Sequence, residues 1–255
     1  MTADQSSRPA LSLRDVRKSF GPTEIIRGVT LDIAVGERHC IIGPNGAGKT
    51  TCFNLISGRF PISGGEIRLD GERIDTLPPH KINRMGLSRS FQITSIFQRL
   101  SVFENLRCSL LWSQGYKYSF WSPLGRQRAL NQEADRLLVD LNLQDRRDTP
   151  AGLLSYAEQR ALEIGMTIAG GASVILLDEP TAGMSNTETD YAMALIRRVT
   201  EGKTLLMVEH DMKVVFDLAD VITVLVYGQV IASGPPAEVR SSRAVQEAYL
   251  GALEG

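Results

Sequence analysis

Cysteine is scarce in this sequence, which also has no long apolar run and no excess of charge of one sign. The three cysteines, Cys40, Cys52 and Cys108, are odd in number and lack metal-ligand spacing, which argues against a disulfide framework or a zinc site. The formal net charge over 255 residues is −1, so no basic field favours nucleic acid as a partner. No stretch approaches the roughly 18 apolar residues of a membrane-spanning helix, so we expect a soluble chain that reaches a membrane only through a partner.

The first ten residues differ from the rest of the chain. Residues 1–10 are polar and lack the apolar segment of a secretion signal, so we expect them to form a loose tail in a cytoplasmic protein. The sequence is 43% hydrophobic, which is enough for a large core in one domain or in two closely packed lobes. We predict a single domain over residues 11–250.

Apolar residues follow different patterns in the two halves of the chain. Leu11 and Leu13, and alternate positions over residues 29–35, predict half-buried strands, and Asp70-Gly71 predicts a hairpin turn. Later, nearly unbroken apolar runs at 174–177, 205–208 and 222–226 predict parallel strands buried on both faces. Between the two regions, at about 95–169, helical patterns dominate. We therefore expect an α/β core with an antiparallel N-terminal part and an inserted helical subdomain.

One stretch has the pattern of a phosphate-binding P-loop, G-x-x-x-x-G-K-[ST]. The apolar segment 40–42 leads into it, and a plausible helix leaves it. Glycines let successive N–H groups point at phosphate oxygens, Lys49 can reach the β- and γ-phosphates, and the Thr50 hydroxyl suits Mg²⁺. An ordinary glycine-rich turn is the alternative, but the strand and helix on either side favour a nucleotide. The predicted site is Gly43-Pro44-Asn45-Gly46-Ala47-Gly48-Lys49-Thr50-Thr51.

Two carboxylates end the apolar run that begins at Val174. Asp178 lies where a strand's carboxyl edge can hold Mg²⁺, directly or through water. Glu179 is then a candidate to polarise the water that attacks the phosphate. Strands also end commonly in an acidic loop residue, but the nearby P-loop favours the functional interpretation.

The segment Leu154-Ser155-Tyr156-Ala157-Glu158-Gln159-Arg160 opens a predicted helix that runs to about residue 169. Ser155 and Glu158 have the spacing of a capping box, which by itself would explain both residues. The segment also resembles the signature motif of ABC-type ATPases, Leu-Ser-Gly-Gly-Gln/Glu, and lies upstream of Asp178-Glu179 as in that family. The resemblance extends over almost the whole chain after Ala10. It implies the ABC ATPase fold, ATP and Mg²⁺ as cofactors, and contact of Ser155 and Glu158 with ATP.

Other positions match that family one by one. His210 follows an apolar strand and resembles the switch histidine, which is implied to contact the γ-phosphate. Gln92 resembles the glutamine that senses Mg²⁺ and water between the core and the helical subdomain, with Gln98 as a weaker candidate. Phe20 resembles the aromatic residue on which adenine stacks, although simple packing at a strand end is the alternative.

Three residues depart from the family pattern. Tyr156 and Ala157 stand where most members have glycine, which predicts a less close approach of the backbone to phosphate. Ser185 stands where many members have Asp, so communication between paired sites through this loop is less strongly predicted.

Residues 182–186 and the ending from Glu238 to Gly251 resemble the branched-chain amino-acid uptake ATPases, as does the long insertion after Gln92. The resemblance implies a head-to-tail pair of ATPase subunits, as a homodimer or heterodimer, with transmembrane permease subunits and a separate solute-binding protein. The protein would then lie on the cytoplasmic face of the inner membrane. A soluble ABC ATPase of cytosolic assembly or repair, a transporter ATPase for another solute, and an ATP-gated scaffold with little turnover remain alternatives.

Two segments are candidates for contact with the permease. Residues 112–121 are rich in aromatic side chains, which can dock on a membrane partner or pack within the helical subdomain. The second segment, 92–103, looks like a mobile link between the lobes, and its apolar residues either seal the lobes together or receive a short cytoplasmic helix. These residues are Ile93, Ile96, Phe97, Leu100, Val102 and Phe103.

Overall fold

A four-stranded antiparallel sheet forms the N-terminal part of the protein. The computed structural model describes residues 8–90, 96–111, 113 and 127–251. Leu11 pairs with Ile33 in this sheet, and Leu69 pairs with Glu72 across the Asp70-Gly71 turn, which confirms the predicted hairpin. In spatial order the strands are β2 (Thr23–Ile33), β1 (Leu11–Phe20), β4 (Gly64–Leu69) and β5 (Glu72–Arg73).

A six-stranded sheet forms the centre of the protein. Its strands pair in parallel except at one edge, where the last two strands form an antiparallel pair. The mainly parallel sheet predicted from the apolar runs is therefore confirmed. In spatial order the strands are β10 (Gln229–Gly234), β9 (Val221–Val226), β3 (Arg38–Ile42), β8 (Thr204–Val208), β7 (Val174–Asp178) and β6 (Leu87–Arg89).

Helices lie on both faces of the central sheet, and three of them belong to the insertion between β6 and β7. Two 3₁₀ turns, Gln144–Arg146 and Ala151–Leu153, lie in the same insertion. The three helices of this insertion are α3 (Val102–Leu110), α4 (Arg128–Asp140) and α5 (Tyr156–Ala169), and α3 contacts the other two. The other helices are α1 (Lys49–Ile56), α2 (Pro79–Arg84), α6 (Asn186–Val199), α7 (Met212–Leu218), α8 (Pro236–Ser241) and α9 (Arg243–Gly251).

The central sheet separates two apolar clusters. Successive residues of β7 alternate between them: Val174 and Leu176 pack with the antiparallel sheet and α1, whereas Ile175 and Leu177 pack with the helices of the insertion. This alternation follows from the two-residue period of a strand. Each fully buried side chain of this kind contributes about 1.5–3 kcal/mol, so both clusters fix the carboxyl end of β7, where Asp178 lies.

The sequence pattern misplaced one strand end. The alternation of apolar residues continues to Val35, but β2 ends at Ile33 and the Val35 side chain is 70% exposed. The chain turns away from the sheet at this point, so Val35 has no core to face. No helix in the described part of the chain is both long and apolar enough to cross a membrane.

Candidate functional site

The P-loop connects β3 to α1, as its sequence pattern predicts. A Cβ atom at Gly43 would lie 2.0 Å from the Leu225 carbonyl oxygen, so only glycine lets the loop pass this close to β9. Gly48 is the N-cap of α1 and has a φ of 101°, a left-handed conformation that glycine adopts readily. Because Gly48 has no side chain, the first N–H groups of α1 are left for an anionic ligand.

The Lys49 ammonium group lies within this loop. Its Nζ donates hydrogen bonds to the Gly43 carbonyl at 2.7 Å and the Pro44 carbonyl at 3.0 Å. Burial lowers the pKa of Lys49, and the charges of Glu179 and Asp178 oppose that shift. The P-loop cation and the carboxylates after β7 therefore act on one another electrostatically. Thr50 and Thr51 follow in the first turn of α1.

Asp178 is fully buried at the end of β7 and is held by an arginine that sequence analysis missed. The Arg89 guanidinium donates to Asp178 Oδ2 at 2.8 Å and also to Asn54 and Ser57 at the end of α1. Burial lowers the pKa of Arg89, whereas the hydrogen bond to Asp178 raises it. Arg89 thus links β6, β7 and the helix that follows the P-loop.

The surroundings of Asp178 fit a magnesium ion. Its second oxygen, Oδ1, is buried and has no hydrogen-bond partner among the described residues. A buried carboxylate oxygen without a partner is unusual in a protein, and Mg²⁺ prefers such ligands. The described residues contain no cluster of three or more His, Cys, Asp or Glu side chains that could hold a metal. Mg²⁺ needs none, because it commonly takes one or two carboxylates together with phosphate oxygens and water.

Glu179 follows Asp178 with an uncommon backbone conformation. Its φ is 48°, a left-handed value that is rare for a residue other than glycine, asparagine or aspartate. Glu179 Oε1 lies 3.9 Å from His210 Nδ1, a distance suited to ionic contact and too long for a hydrogen bond. Both side chains are accessible to solvent. The structure therefore places next to each other, at an accessible position, two residues that the sequence predicted separately.

A buried glutamate that sequence analysis missed connects the loops after β7 and β8. Oε1 of Glu209 accepts hydrogen bonds from the Thr181 amide at 3.0 Å and hydroxyl at 2.7 Å. Its other oxygen accepts from the His210 amide at 3.0 Å. The sequence feature that could have identified Glu209 is its charge at the end of an apolar strand, next to the predicted histidine. Its partner, Thr181, was not predictable from sequence spacing.

Ser155 and Glu158 form the predicted capping box of α5. The Glu158 amide donates to Ser155 Oγ, and the Ser155 amide donates to Glu158 Oε2 at 2.8 Å. Burial opposes ionisation of Glu158, but hydrogen bonds from Arg146 and Ser155 hold its pKa below the usual value. No hydrogen bond in the described part of the chain joins Ser155 or Glu158 to the P-loop.

The departures from glycine and aspartate in this region have structural roles. The Tyr156 hydroxyl donates to the Ala182 carbonyl at 2.8 Å, which ties the start of α5 to the loop after β7. Ser185 is the N-cap of α6 and forms a capping box with Glu188. Ser185 therefore stabilises the start of α6, which a serine does as well as an aspartate.

Two further candidates are Phe20, predicted to stack on adenine, and Gln92, predicted to sense Mg²⁺. The Phe20 side chain is 45% exposed, and its ring meets Phe60 edge to face at a centroid distance of 5.5 Å. Lys18 Nζ lies 4.8 Å from the centroid of the same ring, so the ring has two neighbours and is exposed in part. Gln92 lies outside the described residues, so its role stays a prediction. Gln98 is described, and its backbone carbonyl accepts a hydrogen bond from Gly152.

Known proteins resemble this chain over nearly its full length. A family model described as "ABC transporter" matches residues 26–182, and one described as "Branched-chain amino acid ATP-binding cassette transporter" matches residues 229–254. The high-affinity branched-chain amino acid transport ATP-binding protein BraF of Pseudomonas aeruginosa is 38% identical, covering 96% of this chain and 99% of BraF. LivG of Escherichia coli, described in the same terms, is 35% identical with the same coverage.

A solved structure has the same fold as this chain. The ADP conformation of MJ1267, an ATP-binding cassette of an ABC transporter, matches with a TM-score of 0.83 and 26% identity. The match covers 95% of this chain and 98% of MJ1267. The fold predicted from the sequence is thereby confirmed, and the chain belongs to the ABC transporter family of ATPases.

Proposed function

We propose that this protein binds and hydrolyses MgATP to drive a membrane transporter that takes up branched-chain or other amino acids. The observation that carries the proposal is the electrostatic interaction of Lys49, inside a glycine-rich loop, with Asp178, whose buried Oδ1 has no hydrogen-bond partner among the described residues. The resemblance to BraF and LivG supports the choice of solute.

ATP binding follows from the chemistry of the loop. The N–H groups of residues 45–51, which include the N-terminus of α1, surround the phosphates, and Lys49 neutralises charge on the β- and γ-phosphates. Thr50 and Asp178 would hold Mg²⁺, directly or through water, together with Gln92 as the family resemblance implies, and the ion would supply charge neutralisation at the reacting phosphate. Adenine stacks on the exposed part of the Phe20 ring.

Hydrolysis requires a water molecule aligned with the γ-phosphate. Glu179 accepts a hydrogen bond from this water and takes its proton as the oxygen–phosphorus bond forms. The bond from the γ-phosphorus to the bridging oxygen breaks, and ADP and phosphate are the products. His210, whose Nδ1 lies 3.9 Å from Glu179 Oε1, donates a hydrogen bond to a γ-phosphate oxygen.

The active site is completed by a second ATPase subunit. Ser155 and Glu158 cap α5 on an accessible surface and make no hydrogen bond to the P-loop within the described residues. In a head-to-tail pair, formed by two copies or by two relatives, this surface contacts the ATP held by the other subunit. Closure of the pair on ATP and its reopening after hydrolysis then drive the transporter.

The transporter needs permease subunits and a separate solute-binding protein, and the ATPase lies on the cytoplasmic face of the inner membrane. Purification in detergent tests this assignment: permease subunits should accompany the protein, and the complex in vesicles should take up leucine in the presence of ATP. The complex with Lys49→Ala should not. Recovery of the protein without any membrane subunit would favour the cytosolic ABC ATPase instead.

Phe97 is the best-supported contact for the permease. The structure buries Ile96, Val102 and Phe103 in the core, so these residues of the predicted docking surface seal the protein internally. The Phe97 side chain is 53% exposed. Its backbone is held by the buried Asn105 side chain, which accepts from the Phe97 amide at 2.7 Å and donates to its carbonyl at 3.1 Å.

A rigid backbone that presents an exposed aromatic ring suits the docking of an apolar partner surface, here a short cytoplasmic helix of the permease. The other candidate segment, residues 112–121, lies outside the described residues except for Ser113.

Phe97→Asp tests the docking site. We expect the isolated subunit to keep its ATPase activity and to lose co-purification with the permease, because a charge replaces the apolar anchor. Val139→Asp is the matched control, since Val139 is also exposed and lies on α4. Loss of folding in the Phe97 variant, or permease binding equal to that of the control, would contradict the assignment.

A further inference from the structure

Arg160, on the second turn of α5, binds the main chain that carries Glu179. Its guanidinium donates hydrogen bonds to three successive carbonyl oxygens: those of Asp178 at 3.0 Å, Glu179 at 2.8 Å and Pro180 at 3.1 Å. One side chain therefore holds the backbone on both sides of the Glu179 side chain. The planar guanidinium can make all three contacts because it carries five donors in a fixed geometry.

A buried carboxylate stabilises this buried cation. Glu163 accepts a hydrogen bond from Arg160 Nη1 at 2.8 Å, and both side chains are almost fully buried. The two residues are three positions apart on α5, where side chains lie on the same face of a helix. The pair fixes the direction of the guanidinium, so its position is set by α5.

Tyr156 extends the same contact toward the start of the helix. It lies four residues before Arg160, on the same face, and its hydroxyl donates to the Ala182 carbonyl at 2.8 Å. Tyr156 and Arg160 together bind four carbonyl groups within residues 178–182. We call this arrangement the carbonyl clamp.

The backbone that the clamp holds has an unfavourable conformation. Glu179 has a φ of 48°, which an L-residue keeps only where its surroundings fix it. On the other side, the Glu179 amide donates to the Val208 carbonyl of β8 at 2.9 Å. The direction of the Glu179 carboxylate therefore depends on β8 and on α5.

We propose that Tyr156 and Arg160 are positioning residues that make the orientation of Glu179 follow α5. The proposal rests on the proposed role of Glu179 in hydrolysis and of Ser155 in contact with the second ATP. Ser155 caps the same helix and lies five residues before Arg160. Contact of Ser155 with the ATP on the other subunit then orients the Glu179 of its own chain through the clamp.

Arg160→Lys tests the clamp in the full-length protein. Lysine keeps the charge beside Glu163 but has one ammonium group, which cannot reach all three carbonyls in the same fixed geometry. We expect kcat to fall by about 10- to 100-fold, as for a small misplacement of a catalytic group, with unchanged affinity for ATP. Tyr156→Phe should lower kcat by a smaller factor, and Arg136→Lys, at an exposed position on α4, should leave it unchanged.

A double-mutant cycle separates positioning from general destabilisation. Single-turnover hydrolysis is measured for the wild type, Arg160→Lys, Glu179→Gln and the double variant. If Arg160 acts through Glu179, the double variant hydrolyses ATP at the rate of Glu179→Gln, because effects of residues acting as a unit are not additive. A further loss equal to that of Arg160→Lys alone would overturn the clamp.

The same cycle distinguishes failure of the clamp from failure of the proposed function. Near wild-type hydrolysis by Glu179→Gln would remove the role of Glu179 itself. Normal kcat in Arg160→Lys, with Glu179→Gln inactive, would overturn the clamp alone. If Arg160→Lys does not fold, the paired variant Arg160→Met with Glu163→Met removes both buried charges together and should show the same loss of kcat; normal kcat in that variant would also overturn the clamp.

Discussion

The P-loop and the loops after β7 and β8 contribute to one site but are built from different contacts. The P-loop depends on backbone geometry, with glycines that allow close packing and one cation, Lys49, bonded to carbonyls five and six residues away. Around Asp178 and Glu179, buried side chains such as Arg89, Arg160 and Glu209 bind groups far away in sequence. The pattern of a ligand-binding loop can therefore be encoded locally, whereas the orientation of these two carboxylates requires the whole fold.

Lys49→Ala should have the largest effect and tests the P-loop half of this comparison. It removes the one cation that lies within the loop, opposite the predicted β- and γ-phosphates, so ATP binding should be nearly abolished while the fold remains. Calorimetric titration with MgATP measures the affinity. Lys81→Ala, at an exposed position on α2, is the control, and wild-type affinity in Lys49→Ala would refute the P-loop assignment.

Arg89→Met tests the other half of the comparison, the remote contacts around Asp178. It leaves the fully buried Asp178 carboxylate without its cation, a change that destabilises proteins by about 3–5 kcal/mol. Urea unfolding should show this loss. Arg14→Met is the matched control, because Arg14 pairs with Asp32 at an exposed surface, where an ion pair contributes about 0–1 kcal/mol. Equal losses in the two variants would mean that the buried pair has no special role.

Ala157→Gly should have the smallest effect. It concerns the proposed contact between the start of α5 in one subunit and the ATP at the P-loop of the other subunit. Glycine removes the methyl group that we predict to hold the α5 backbone away from phosphate, so the ATP-bound dimer should form at equal or lower ATP concentration. The helix loses only about 0.5–1 kcal/mol. Dimer formation is measured by size-exclusion chromatography. A large loss of ATPase activity in a folded variant would contradict this view of Ala157.

The local half of the site was predictable from the sequence because its partners are neighbours in the chain. The P-loop pattern located the turn between β3 and α1, and the Ser155–Glu158 spacing located the start of α5. The hairpin at Asp70-Gly71 was predictable for the same reason, whereas the parallel strands were predictable because burial on both faces gives each strand an unbroken apolar run. The extension of β2 to Val35 was wrong because alternation of residue types does not show where the sheet ends.

The contacts around the loops after β7 and β8 were not predictable, because they depend on the order of strands in the sheet. Arg89 and Asp178 are 89 residues apart, and Thr181 and Glu209 are 28 apart. They meet because β6 and β8 are the two neighbours of β7. The apolar run before them made the carboxylates candidates, and the family resemblance did so for the histidine, but neither gave any indication of the side chains that hold them in place.

The central claim is that the P-loop binds ATP while Glu179 supports its hydrolysis. The measurement that tests this claim most directly is ATP binding and hydrolysis by Glu179→Gln. The amide has nearly the shape of the carboxylate but cannot accept the proton of water, so turnover should fall by roughly 10²-fold or more. ATP affinity should stay at the wild-type value, since Lys49 and the P-loop are intact, and an ATP-bound dimer should accumulate. Multiple-turnover hydrolysis at a near wild-type rate would contradict the account and make His210 the next candidate.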